Sequence, residues 1–365
     1  MQFPTSVAVM STGELAVADG SSRVVIMSTD GKWKKTIADF GNYTYGAVHH
    51  PLGIVMQGSG TDEMMYIVDT QNNRIQKVRM LDSTMQAHAR QVVHRHAIPG
   101  PLKLGQPHGA ALAGAVLYVS DTQNHRVVAY STASANRSRA MAEVGVQPGE
   151  LQCLSAFGAK GRELGNLQYP KGIAVRFIGT QGEHEIIVCD SRNHRLQCFT
   201  PQGQCVRSVG GRHGQTGAGP SGGRGEMFAF PLEVAVSPNG QYIVVADQQT
   251  ITVLTADGLS PVTIVDPSQP RGPPTLGGTP LLSARLPYPT ATRAPFAGFG
   301  VAPLGAGPGF LLYVAQYATH RLVEYTLHPQ DLDKCLAAPQ KPTQLWLASC
   351  AQIQQNVLSP RNAGC

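Results

Sequence analysis

Gln168-Tyr169-Pro170-Lys171-Gly172-Ile173-Ala174-Val175, followed by Ile186-Ile187-Val188-Cys189-Asp190-Ser191-Arg192-Asn193-His194-Arg195-Leu196-Gln197-Cys198-Phe199, decides how the chain folds. The two stretches read as strand, turn, strand, tight polar turn, strand. Period-two alternation and the abundance of Val, Ile and Tyr favour strands over helices. The pattern recurs along the chain, and the recurrence carries the structural expectations.

The recurring unit has two halves. The first is an aromatic or polar residue, a Pro and a short apolar strand. The second is an apolar strand ending in Asp, a polar turn that usually holds Asn, then Arg and another strand. Phe3-Pro4 with Leu15 to Asp19 and Arg23 makes the first copy. His50-Pro51 with Tyr66 to Asp69 and Arg74 makes the second, and Gln106-Pro107 with Tyr118 to Asp121 and Arg126 the third. The opening stretch is the fourth. Copy five, Phe230-Pro231 with Tyr242 to Asp247, has neither Asn nor Arg in its turn. Copy six, Phe299 to Ala302 with Leu312 to Gln316, replaces Asp by Gln and recovers as His320-Arg321. Arg321 is left either to bond the Gln oxygen or to serve something else.

From Asp19 through Asp69, Asp121, Asp190 and Asp247 to Gln316 the intervals are 50, 52, 69, 57 and 69 residues. These fit four short strands plus variable loops and leave no room for crossover helices. The expectation is an all-β fold: a six-bladed β-propeller with four antiparallel strands per blade and long face loops. One blade cannot bury both faces; stacking in a closed ring does so. The innermost strands are those of Val7, Ile54, Ala110, Ile173, Val234 and Val301. Closure calls for an outer strand from the C-terminal side, with Leu345-Trp346-Leu347 the best candidate. Residues 1–350 are expected to form a single propeller and 351–365 a tail. Long loops at 80–105, 131–165, 211–227 and 259–295 belong on the faces, because strand interiors cannot absorb them.

The chain has 365 residues, 42% hydrophobic and 14% charged, with 40 glycines and 26 prolines, so turns are frequent and the chain is not disordered. A net charge of +6 slightly favours anionic neighbours. Seven cysteines include no CxxC pair, which gives a structural zinc site little support. Buried thiols in a reducing compartment are the simpler reading, with a disulfide among Cys335, Cys350 and Cys365 left open. No secretory signal and no bilayer-length apolar run is visible. An intracellular, cytoplasmic setting is expected.

The triplets Asn72-Asn73-Arg74, Asn124-His125-Arg126 and Asn193-His194-Arg195, each behind an Asp, together with Tyr169 to Val175, resemble the NHL-repeat family over about residues 3–326. Asp and Asn suit tight turns, and Arg offers a fork of donors to a carboxylate or to carbonyls. Asp69, Arg74, Asp121, Arg126, Asp190 and Arg195 are therefore read as structural residues that bind the blade together. His125, His194 and His320 read as a repeat feature, not as converging metal ligands.

The resemblance implies a choice of roles. Some NHL domains bind single-stranded RNA on a basic face, many bind protein, and similar propellers include a metal-dependent lyase and metal-dependent hydrolases. No HExxH or GxSxG motif supports hydrolysis here, and the phosphate-loop pattern is absent from Gly222 to Gly225. His50 and His108 sit at different places in the unit. No catalytic residue, metal ligand or cofactor is assigned. The leading expectation is a non-catalytic scaffold that binds a protein partner through propeller faces and loops. The alternatives are single-stranded RNA binding and a metal-dependent lyase-like or hydrolase-like enzyme with a central-channel site. The candidate interaction surface is His94, Arg95, His96, Lys171, Arg176, Arg207, Arg212 and Arg224, with Tyr169 and Phe230 as candidate exposed aromatics or rim packing.

Overall fold

The computed structural model describes residues 2–41, 46–80, 90–92, 103–133, 151–179, 182–211, 228–248, 251–257, 261–265, 296–304, 309–316, 321–328 and 355–358. Their strands form six sheets. Sheet one holds β1 (Pro4–Val9), β2 (Leu15–Asp19), β3 (Arg23–Met27), β4 (Trp33–Phe40) and the short β5 (Ala47–Val48). Sheet two holds β6 (Pro51–Gln57), β7 (Met64–Asp69), β8 (Arg74–Arg79) and β9 (Arg90–Val92). Sheet three holds β10 (Ala110–Ala113), β11 (Val116–Asp121), β12 (Arg126–Ser131) and β13 (Gln152–Phe157). Sheet four holds β14 (Pro170–Ile178), β15 (Glu183–Asp190), β16 (Arg195–Phe199) and β17 (Cys205–Gly210). Sheet five holds β18 (Glu233–Val236), β19 (Tyr242–Ala246), β20 (Ile251–Thr255) and β21 (Pro261–Val265). Sheet six holds β22 (Phe296–Pro303), β23 (Phe310–Gln316), β24 (Arg321–Leu327) and β25 (Gln355–Leu358). Strand order follows chain order in every sheet, and only the β4–β5 pairing is parallel.

The expected phase holds. Asp19, Asp69, Asp121 and Asp190 each end a second strand, and Asp247 directly follows one. The Pro that opens an inner strand stands opposite that Asp in register, as in Pro51↔Asp69 and Pro170↔Asp190. Asp and Arg then face each other across the next pair, as in Asp69↔Arg74 and Asp190↔Arg195.

Packing follows from the alternation. In β2, Leu15 and Val17 pack with Tyr313 and Leu322 of sheet six, whereas Ala16 and Ala18 pack with Ile54, Met65 and Ile67 of sheet two. Equivalent apolar layers lie between sheets two and three, three and four, four and five, and five and six. Each sheet thus buries both faces against its neighbours, and each fully buried Val, Leu or Ile adds about 1.5–3 kcal/mol. The inner strands meet backbone to backbone. A Cβ on Gly172 would lie 2.5 Å from Glu233 Cα, and one on Gly109 2.8 Å from the Lys171 carbonyl oxygen. Only glycine permits that approach.

Sheet six takes its fourth strand from the C-terminal side of the chain. The edge strand of sheet six is Gln355–Leu358, paired antiparallel with β24, so the sheet reaches beyond residue 350 into the segment expected to be a tail. Residues 345–347 lie outside the described residues. The two strands pair in the register Leu322↔Leu358 and Val323↔Val357. Among the described residues no helix is long and apolar enough to cross a membrane.

Candidate functional site

Each intact Asp gathers several donors. Asp190 accepts Gln168 N–H at 2.6 Å, Asn193 Nδ2 at 2.8 Å, Arg195 Nε at 2.7 Å and Gln197 Nε2 at 3.0 Å. Asp69 does the same with His49 N–H, Asn72, Arg74 and Gln76. Asp121 does so with Gly105 N–H, Asn124 and Arg126. The Arg spends its remaining donors on carbonyls of the incoming loop, as Arg195 does on Glu163 and Asn166. Burial nevertheless raises the Asp190 pKa, outweighing the pull of Gln168, Asn193 and Arg195. The six residues read as structural from the sequence are all committed to these knots.

The turn histidines have a second, equally local task. Asn73, His125 and His194 sit at φ 52°, 58° and 57°, just before the Arg, and Gln106, Tyr169 and Phe230 sit at φ 45°, 51° and 60°, just before the Pro. Left-handed non-glycine residues are strained and persist only where their surroundings hold them. Here each pair holds itself. Gln106 N–H donates to Asn73 Oδ1 at 2.6 Å, Tyr169 N–H to His125 Nδ1 at 3.0 Å and Phe230 N–H to His194 Nδ1 at 3.4 Å. The His125 and Tyr169 rings stack edge to face at 4.5 Å, and those of His194 and Phe230 approach to 4.3 Å. A turn of one sheet is thus fastened to the start of the next. A ring whose Nδ1 accepts is neutral, and burial lowers the His125 pKa accordingly.

The same rim carries a cavity of about 390 Å³, lined by Tyr169, Lys171, Ser191, Arg192, Phe230 and Gln248. It lies where sheet four meets sheet five. The pre-proline residues supply its aromatic walls. Ser191 and Arg192 come from the single 3-10 turn Ser191–Asn193 behind Asp190. The Arg192 guanidinium lies over the Tyr169 ring, 4.7 Å from its centroid. Lys171 is the first residue after the Pro, and burial, then the Arg192 charge, lowers its pKa.

No family model and no curated protein matches the chain. Among solved structures, Kuenenia stuttgartiensis hydrazine synthase is similar at 12% identity and TM-score 0.54, covering 96% of this chain and 84% of that one. A crystal structure of a nidogen/laminin complex is similar at 13% identity and TM-score 0.48, covering 90% and 94% respectively. The fold is β-propeller-like. The likeness concerns the fold alone.

Within this propeller-like frame the three described members of the predicted surface, Lys171, Arg176 and Arg207, do not share one end of sheet four. Lys171 begins β14 and Arg176 lies near its other end. Arg176 Nε donates to the Gly240 carbonyl at 2.8 Å, and its other donors reach Glu185 at 3.3 Å, Ala256 O and Asp257. Arg207 bonds Glu185 and the carbonyls of Ala256 and Asp257. These two arginines clamp sheet four to sheet five at the end opposite Lys171. His94, Arg95, His96, Arg212 and Arg224 lie outside the described residues. Tyr169 and Phe230 serve as rim packing and as cavity walls at once.

Sequence reasoning missed Arg192. Its place in the turn is Gln71 in the second copy and Gln123 in the third, so comparison of the copies would have exposed the added charge. It also missed Glu233. Register places Glu233 where the inner strands of sheets one, two and six carry Ser6, Gly53 and Gly298. Burial pushes its carboxyl up to about 8. His108 goes the other way: burial, then the charges of Lys171 and His50, holds its pKa down to about 3. Among the described residues no group of three His, Cys, Asp or Glu is placed to hold a metal. Cys153, Cys189, Cys198 and Cys205 are free thiols, and burial pushes all four pKa values up, that of Cys198 to about 12.

Proposed function

We propose that the chain is a non-catalytic interaction scaffold, a six-bladed NHL-like propeller running through Leu358, that holds a protein partner on the rim of sheets four and five. The observation that carries this reading is the cavity walled by Tyr169 and Phe230 and charged by Lys171 and Arg192. It is concave, mostly apolar and furnished with a few polar groups, as recognition sites are. The knots behind it fix its walls, so little ordering is needed on binding. Four free thiols support a reducing, cytoplasmic setting.

The RNA reading draws less support. It needs cations converging along one track and rings with open faces for bases. Arg176 and Arg207 are spent on Glu185, Asp257 and carbonyls. The test is affinity capture on the intact chain, with and without nuclease. A protein partner retained after nuclease is expected; a partner lost with the nucleic acid overturns the reading.

A further inference from the structure

Resting on that reading, we propose that the rim cavity is a carboxylate-recognition site that takes an acidic peptide segment of the partner, its carboxylate seated between Lys171 and Arg192. None of the six lining residues is acidic, so neither the ammonium nor the guanidinium meets a carboxylate in the cavity wall. The cavity volume, about 390 Å³, lies at the small end of ligand sites and suits one or two side chains. Bringing a carboxylate to a partly desolvated cation yields a charge-assisted hydrogen bond, short and directional.

Two features select an acidic peptide over nucleic acid. The Tyr169 ring is already covered by Arg192 at 4.7 Å and met by His125 at 4.5 Å. The Phe230 ring is met by His194 at 4.3 Å. Each ring is thus already engaged by a neighbour within the fold, Tyr169 by two and Phe230 by one. The other two described cations of the expected basic surface are bonded at the opposite end of β14. Among the described residues the positive charge at this cavity is that of Lys171 and Arg192, matched to one or two carboxylates. Arg192, which replaces the Gln of the two preceding turns, adds half of that charge to this copy alone among the three intact ones.

The test is selection of random heptapeptides on the intact chain, displayed either internally or with a free C-terminus. Peptides enriched for Asp or Glu at a fixed position, or for the free C-terminus, are expected; the two formats separate a side-chain carboxylate from a terminal one. Binding of the best synthetic peptide should weaken about tenfold or more in Lys171→Met/Arg192→Met and on changing its acid to the amide, the loss of a charge-assisted contact. The charge-matched control Lys32→Gln/Arg79→Gln, on exposed pairs, should change it by less than about twofold. Thermal melting confirms that the variants fold, and Arg192→Gln, which restores the residue of the other turns, provides a milder second variant. No enrichment, enrichment without an acid, equal weakening by the control, or displacement of the peptide by oligouridylate overturns the proposal. Protein capture that persists unchanged in Lys171→Met/Arg192→Met would remove this site and leave the scaffold reading standing.

Discussion

At one end of β14, Arg176 and Arg207 meet Glu185, Asp257 and the Ala256 carbonyl, and sheet four is clamped to sheet five. At the other end, about 16 Å away along the strand, Lys171 and Arg192 face a cavity with no acidic residue among its described lining. Both ends place two cations at the same junction. What separates them among the described residues is whether a carboxylate lies within reach, as Glu185 of the same sheet and Asp257 of the next do at the first end. Where it does, the cations add to cohesion and are lost to binding. Where it does not, partly buried charge remains available to a partner. A basic residue in a repeat protein is therefore informative only once its opposite number is known.

The largest effect should come from the knot beneath the open end. Arg195 is 4% exposed and Asp190 fully buried. Asp190→Ala leaves a buried guanidinium without its carboxylate and should cost about 3–5 kcal/mol, read from chemical denaturation. Burial raises the Asp190 pKa, so desolvation offsets part of what the pair gains. Exchanging Asp190 and Arg195 together for apolar residues should therefore cost less than Asp190→Ala alone. A double variant as damaged as the single one would show that the knot itself supplies stability.

An intermediate effect is expected at the closed end. Glu185→Ala strips one acceptor from both Arg176 and Arg207 and should cost about 2 kcal/mol. Peptide binding at the Lys171 end should stay unchanged, since the change touches no wall of the cavity. Stability loss together with lost binding would mean that the two ends are coupled.

The smallest effect concerns the fastening between sheets. His125→Ala removes the acceptor for Tyr169 N–H and should cost about 1 kcal/mol. His125→Asn should restore it, because Asn73 does the same work for Gln106 at 2.6 Å. The pH behaviour distinguishes the two residues. A His whose folded pKa is depressed stabilises above its unfolded value, near 6.5, and loses that contribution as pH falls. His125 is depressed by burial and by Lys160, against the pull of Asp121. Melting temperatures between pH 7 and pH 5 should fall less in His125→Asn than in the natural chain. His108 and Glu233 titrate in both proteins, so the difference isolates His125. Equal falls would deny the histidine its role as a neutral acceptor.

Much of the fold was legible in the residues because its rules are local. A Pro, an Asp, an Asn and an Arg at fixed offsets specify a strand start, a carboxylate knot and a turn, and the Asp positions accordingly fall at corresponding second strands. The edge of sheet six was not legible. Gln-Asn-Val-Leu at 355–358 is short and polar at one end, and nothing in it announces a strand as Leu345-Trp346-Leu347 does. The candidate surface was legible only in part. Lys171 and Arg176 belong to one strand and look alike in sequence, and Asp257, 81 residues from Arg176, decides between them. Arg192 was readable by aligning the turns, but its meaning depends on Phe230 and Gln248 of the next sheet.

The most direct measurement is a crystal structure of the intact chain with the tightest selected acidic peptide. The expected result is a peptide carboxylate within hydrogen-bond reach of both Lys171 Nζ and the Arg192 guanidinium, with Arg176 and Arg207 still on Glu185. A peptide seated at the Arg176 end, or along an outer edge strand with the Lys171 cavity untouched, would contradict the assignment of the working face.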